Sequence, residues 1–167
     1  MRLFLACLLA IFLIGCSKSD RWQNVYIKTG SASFDSSKLI YPASNFCQDI
    51  QLELLNTEEQ LYIYLNVYAH PVTPYKENLK EALITLDTGT KEYQLIAERL
   101  EGGQRIRVPL TSTTFVVDLM KSSNFVIIKL QDGYRTKILT THFTDYYKKL
   151  KNLPPSFISN RPVGLAL

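Results

Sequence analysis

The sequence lacks the short motifs that mark common enzyme classes. It contains no Gly-x-Ser-x-Gly, Ser-x-x-Lys or His-Glu-x-x-His pattern and no phosphate-binding loop. The two histidines, His70 and His142, have no Cys, His or Asp neighbours at the spacing of a metal site, which needs three or four ligands. Glu58 and Glu59 are adjacent in a predicted turn. We expect them to be solvated and not to form a catalytic pair of carboxylates. We therefore predict that the protein is not an enzyme and that it uses no metal and no cofactor.

A concentrated basic face is also missing. The formal net charge is only +4, and the basic residues are scattered apart from Lys148, Lys149 and Lys151. Nucleic-acid-binding proteins usually carry a basic stripe or patch on one face. We therefore predict no nucleic-acid partner.

No apolar run is long enough to cross a membrane. The longest, Leu3 to Ile14, has 12 residues, whereas a transmembrane helix needs about 20. The run follows Arg2 and ends at the small residue Gly15. This length and these flanks are typical of a secretory signal peptide.

The end of this run carries a more specific signal. Leu13-Ile14-Gly15-Cys16 resembles the lipobox of bacterial lipoproteins, in which an obligatory Cys follows a small residue. The resemblance implies a signal peptide over residues 1–15, a diacylglyceryl group on the Cys16 thiol, fatty acylation of the new amine and a tether over residues 16–21. Two or three acyl chains hold a protein firmly on a bilayer. Because Ser17 follows the Cys, the resemblance also implies a place in the cell envelope, at the outer membrane where one exists.

Cysteine is scarce, which limits the disulfides that are possible. The chain has three, namely Cys7, Cys16 and Cys47. Cys7 would leave with the signal peptide and Cys16 would carry lipid, so Cys47 would have no partner within the mature chain. Cys47 is then either a small buried apolar residue or a thiol that pairs with another chain.

The composition of the rest favours strands. Ten Tyr and eight Phe accompany many β-branched residues. From Leu61 to Ala69, small or aliphatic residues alternate with three tyrosines and Asn66, which is the period of a strand. Asp132-Gly133 between two apolar runs is a strong hairpin signal. We predict one all-β domain over residues 22–167, a mainly antiparallel β-sandwich or small barrel of seven or eight strands with one or two short helices. One helix spans 145–152 with Thr144 as its cap, and residues 111–124 form either a helix, which we favour, or a strand.

The best candidate for a binding surface is a stripe of tyrosines on one predicted strand. Tyr62, Tyr64 and Tyr68 share a face, and the proline-rich loop from His70 to Tyr75 follows. Tyrosine is enriched where proteins bind partners. The alternative is a second core face, covered by the last helix through Phe143 and Tyr147.

These patterns together predict a membrane-anchored envelope lipoprotein. Its domain would bind a partner protein of the envelope or serve in assembly. The alternatives are a carrier of a hydrophobic ligand and an inhibitor of an envelope-targeting enzyme that uses the His70–Tyr75 loop.

Overall fold

A computed structural model describes residues 21–29, 35–44 and 49–152. Cys7, Cys16 and Cys47 lie outside these residues. The described residues form nine strands, β1 (Gln23–Ile27), β2 (Ser36–Tyr41), β3 (Gln51–Asn56), β4 (Leu61–Asn66), β5 (Glu81–Asp87), β6 (Glu92–Arg99), β7 (Arg105–Arg107), β8 (Phe125–Lys129) and β9 (Arg135–Leu139). The same part of the chain forms two α-helices, α1 (Leu110–Ser122) and α2 (Phe143–Lys151). Neither helix of the described residues has the length and apolar character needed to span a bilayer.

All nine strands belong to one sheet. Their order is β1-β2-β3-β4-β7-β6-β5-β8-β9, and every pairing is antiparallel. In this order β7 and β6 lie between β4 and β5. The connection over residues 67–80, which joins β4 to β5, therefore has to pass over two strands at the end of the sheet. The backbone N–H groups of Val67 and Val72 donate to the carbonyls of Gln104 and Gly103 on the way. This crossing connection closes one end of the core.

The core lies on the concave face of the sheet. On β4, Leu61, Ile63 and Leu65 are buried there, and the alternate residues point outward. Helix α1 supplies Val116 and Met120 to the same continuous cluster. Helix α2 packs against β1 and β2, where the Ser37 hydroxyl donates to the carbonyl of Leu150 at 2.6 Å. The two helices therefore fill the interior of a curled sheet.

Side chains join the two ends of the sheet. Strands β1 and β9 share no backbone ladder, but the Trp22 indole N–H donates to the carbonyl of Leu139 at 3.0 Å. The Tyr41 hydroxyl donates to the carbonyl of Lys137 at 3.4 Å and accepts from the N–H of Leu139 at 3.3 Å. Trp22 also packs against Tyr41 and Phe143, with ring centroids 4.9 and 5.1 Å apart. The free edge of β9 is thus occupied by aromatic side chains.

The predicted fold class is confirmed, with a mainly antiparallel all-β domain and a helix near the C-terminus. Residues 110–122 form the favoured helix and not a strand. The predicted cap of the last helix was wrong. Helix α2 begins at Phe143, because His142 takes the left-handed conformation (φ 61°) just before it, and Thr144 lies inside the first turn.

Removal of the Tyr41 hydroxyl tests how the ends are joined. We expect Tyr41→Phe to lower the free energy of unfolding by about 1 kcal/mol, because the ring stays packed and only hydrogen bonds are lost. We expect Tyr41→Ala to lower it by about 3–5 kcal/mol, the usual cost of deleting a buried aromatic ring. Urea unfolding followed by circular dichroism measures both. Equal losses for the two variants would contradict the view that ring packing carries most of the closure.

Candidate functional site

Two tyrosines of β4 form a stacked pair on the outer face of the sheet. Tyr62 and Tyr64 are half-buried, and their ring centroids lie 6.1 Å apart with an interplanar angle of 22°. They point outward because the alternate residues of β4 are drawn into the core. Gln60 donates its side-chain N–H to the Tyr62 hydroxyl. This hydrogen bond orients the Tyr62 ring.

A charged network supports this tyrosine pair. The Arg105 guanidinium of β7 lies over the Tyr64 ring, 3.9 Å from its centroid. The same guanidinium forms an ion pair with Glu53 of β3 at 3.1 Å, and Lys38 of β2 contacts the same carboxylate oxygen at 3.0 Å. Asn66 donates to the other oxygen at 3.4 Å. We call Glu53, Arg105, Tyr62 and Tyr64 the tyrosine–arginine patch.

Glu53 is the unusual member of the patch because it is buried on a face that otherwise meets solvent. Its side chain is 5% exposed, against 26% for Lys38 and 38% for Arg105. A buried carboxylate needs charge partners and hydrogen bonds to offset desolvation, and Glu53 has two cations and one amide. The patch is therefore held in one arrangement from beneath.

Tyr68 lies at the far end of the same face. It follows the end of β4 and is 43% exposed, and its carbonyl accepts from the Gln104 side chain at 3.3 Å. Partial burial raises the pKa of the Tyr68 hydroxyl, the Glu53 carboxylate raises it further, and Arg105 acts in the opposite direction. The phenol stays protonated at neutral pH and can donate a hydrogen bond to a partner.

His70 and Tyr75 lie at the end of the sheet and not on its outer face. The backbone N–H and carbonyl of His70 bond to the buried Tyr134 hydroxyl at 2.8 and 2.7 Å, and the two rings lie 4.9 Å apart. Thr73 is bound to Asp132 through its N–H and its hydroxyl at 2.5 and 2.7 Å. Tyr75 is half-buried and has Lys76 over its ring. The predicted binding surface is thus two separate regions. Tyr62, Tyr64 and Tyr68 lie on the outer face, whereas His70 and Tyr75 lie in a loop that is hydrogen-bonded to the end of the sheet.

Two open clefts lie elsewhere. One, of about 440 Å³, is lined by Arg21, Ser44, Asp49, Gly133, Arg135, Thr136 and Lys137. The other, of about 280 Å³, lies between α1, α2 and the start of β4. Among the described residues no group of three His, Cys, Asp or Glu side chains is placed to hold a metal ion.

The sequence patterns identify the tyrosines of the patch but not Glu53 and Arg105. Two features of the sequence point to them. Glu53 is a lone acidic residue among the apolar residues of β3, and Arg105 and Arg107 are two positions apart, which puts both on one face of β7. The alternative prediction, that the last helix covers the tyrosine face through Phe143 and Tyr147, is wrong. Phe143 of α2 is buried on the concave face beside Trp22, and Tyr147 packs on Phe143.

The chain was compared with protein-family models, with curated proteins and with solved structures, and nothing matched in any of the three comparisons. The arrangement of its own side chains therefore carries the functional argument.

Neutralising Glu53 tests the support of the patch. We expect Glu53→Gln to lower the free energy of unfolding by about 2 kcal/mol, since two cations lose a buried partner but are exposed enough to regain water. The single Trp22 is buried and reports unfolding in urea by its fluorescence. The matched control is Glu92→Gln, which breaks an exposed pair with Lys129 and should cost less than about 0.5 kcal/mol. Similar losses in both would show that Glu53 contributes no more than a surface pair.

Asp49 predicts an acid-sensitive contribution to stability. Burial alone would raise the pKa of this carboxyl, but hydrogen bonds from Ser44, Thr136 and the N–H of Ile50 outweigh it and hold the pKa below the usual 3.8. A lowered folded pKa gives stability that is present above the unfolded value and is lost as the pH falls through the folded one. We expect Asp49→Asn to unfold more easily at neutral pH, by about 1–3 kcal/mol.

The difference between this variant and the original chain should shrink below about pH 4, as Asp49 itself becomes protonated. Urea unfolding at a series of pH values measures it. Asp118→Asn, at an exposed pair with Lys121, is the control that should leave the curve unchanged. A gap that stays constant down to low pH would contradict the assignment.

Proposed function

We propose that the protein is a membrane-anchored lipoprotein of the bacterial cell envelope whose domain binds a partner protein through the tyrosine–arginine patch. The anchor is the lipid on Cys16, implied by the lipobox resemblance of residues 13–16. One observation carries the binding part of the proposal. A stacked tyrosine pair and an arginine are held in fixed positions on the outer face of the sheet by a buried carboxylate.

This arrangement suits protein recognition because of its residue types and its rigidity. Tyrosine and arginine dominate the residues that contribute most to binding between proteins. Tyr64 and Arg105 are already ordered by stacking and by the Glu53 ion pair, so less side-chain entropy is lost when a partner arrives. Arg105 keeps a 38% exposed side chain that can still contact a partner.

The two alternatives receive less support. A carrier needs an enclosed apolar cavity, whereas the interior of the described residues is one packed cluster, and the two clefts are open and include charged residues in their linings. An inhibitor that used the His70–Tyr75 loop would present it to an enzyme, whereas Tyr134 and Asp132 bind this loop down at both His70 and Thr73.

The anchor is tested with Cys16→Ala. We expect the original chain, produced in a bacterium with the lipoprotein pathway, to carry acyl groups by intact mass and to sediment with membranes. We expect Cys16→Ala to carry no acyl groups, because the thiol that would receive the diacylglyceryl group is absent. An original chain without acyl mass would overturn the anchor.

The patch is tested by a photo-crosslinking amino acid placed at Tyr64 in intact cells. We expect one discrete crosslinked species, which disappears when Arg105→Ala is added. The matched control is the same amino acid at Ile96, an exposed apolar residue on the outer face of β6. Identical crosslinks from positions 64 and 96 would contradict a specific binding surface.

A further inference from the structure

The chain enters the domain at one end of the sheet, which we call the entry end. Arg21 lies two residues before β1, and its guanidinium donates to the carbonyl of Pro42, just after β2. Arg21 also lines the 440 Å³ cleft with Gly133 and Arg135. Asp132, next to Gly133, binds Thr73 of the crossing connection. The entry end therefore combines the first described residue with the connection over residues 67–80.

The crossing connection carries the most exposed large apolar side chain of the described residues. Leu79 is 72% exposed, although its backbone is fixed, because Arg99 donates to its carbonyl at 3.2 Å. Lys76 and Lys80 lie before and after it in the same connection and are exposed, and the half-buried Tyr75 directly precedes Lys76. Exposed apolar, aromatic and lysine residues in one short segment are the residue types found where proteins lie at a lipid interface.

The length of chain before the domain points to the same occupant. Only five residues, Ser17 to Arg21, separate Cys16 from the buried Trp22, and they reach at most about 17 Å. Strands of six to eight residues make the sheet about 20–26 Å long. A lipid on Cys16 would hold the entry end within reach of the bilayer and keep the opposite end a strand length further away.

We propose that the entry end rests on the lipid bilayer, with Leu79 inserted among the headgroups and with Arg21 and Arg135 facing lipid phosphates. This inference rests on the proposed lipidation of Cys16. Glu77, Glu101 and Asp132 also lie in the connections at this end, so the local charge is mixed. Burial of Leu79 and the tether hold the contact together, and salt changes it little.

The test uses the full-length acylated chain in vesicles of phosphatidylethanolamine and phosphatidylglycerol. Cys47→Ser removes the remaining thiol, and a fluorophore is attached through Leu79→Cys. The matched control is Leu110→Cys, a leucine that is also exposed (49%) but begins α1 beside Gln60 and Leu61, at the opposite end. Lipids with a nitroxide near the headgroup quench a probe that touches the bilayer.

We expect quenching at position 79 to be several-fold stronger than at position 110 and to persist in high salt. Equal, weak quenching at both positions in vesicles that float with the protein would overturn the proposal and leave the lipid anchor standing. A probe at position 79 that is shielded from aqueous iodide but not quenched by lipid would also overturn it, since a protein surface would then cover Leu79. Protein without acyl mass that fails to float would overturn the proposed function instead.

Discussion

Closure of the sheet by Trp22 and Tyr41 is the contact on which the rest of the structure depends. An open strand edge exposes unpaired backbone groups and invites pairing with other chains. Here two aromatic side chains bind the backbone of β9 at Lys137 and Leu139. Both side chains also belong to the buried cluster into which α1 and α2 pack. Because Trp22 begins the domain, the same closure places Arg21 and any tether before it at one end of the sheet.

The outer face shows a second constraint, which is a carboxylate buried where solvent would be expected. Glu53 contacts Lys38 and Arg105 and lies opposite Tyr64 in the ladder between β3 and β4. Buried ion pairs often contribute little net stability compared with apolar packing, and in some proteins they serve to specify one geometry. We infer that Glu53 is in this position for the placement of Arg105 and Tyr64 more than for stability.

The sequence predicts the local features of this fold and not its long-range neighbours. Alternation identifies β4, and Asp132-Gly133 places the hairpin between β8 and β9. The pairing of β4 with β7 follows from the crossing of residues 67–80, which no short pattern encodes. Glu53 and Arg105 are 52 positions apart and meet only through that pairing. The tyrosines of the patch were therefore predictable from one strand, whereas their charged partners required the strand order.

The direction of β4 connects the two proposed surfaces. The strand runs from Leu61 toward the entry end, so Tyr62 lies farthest from that end and Tyr68 lies nearest to it. If the entry end rests on lipid, β4 runs roughly perpendicular to the bilayer. The tyrosine–arginine patch then faces sideways, parallel to the membrane surface. A partner that binds it must then reach the same height above the membrane. A partner that is itself held at the membrane would then meet the patch from the side, within one sheet length of the bilayer.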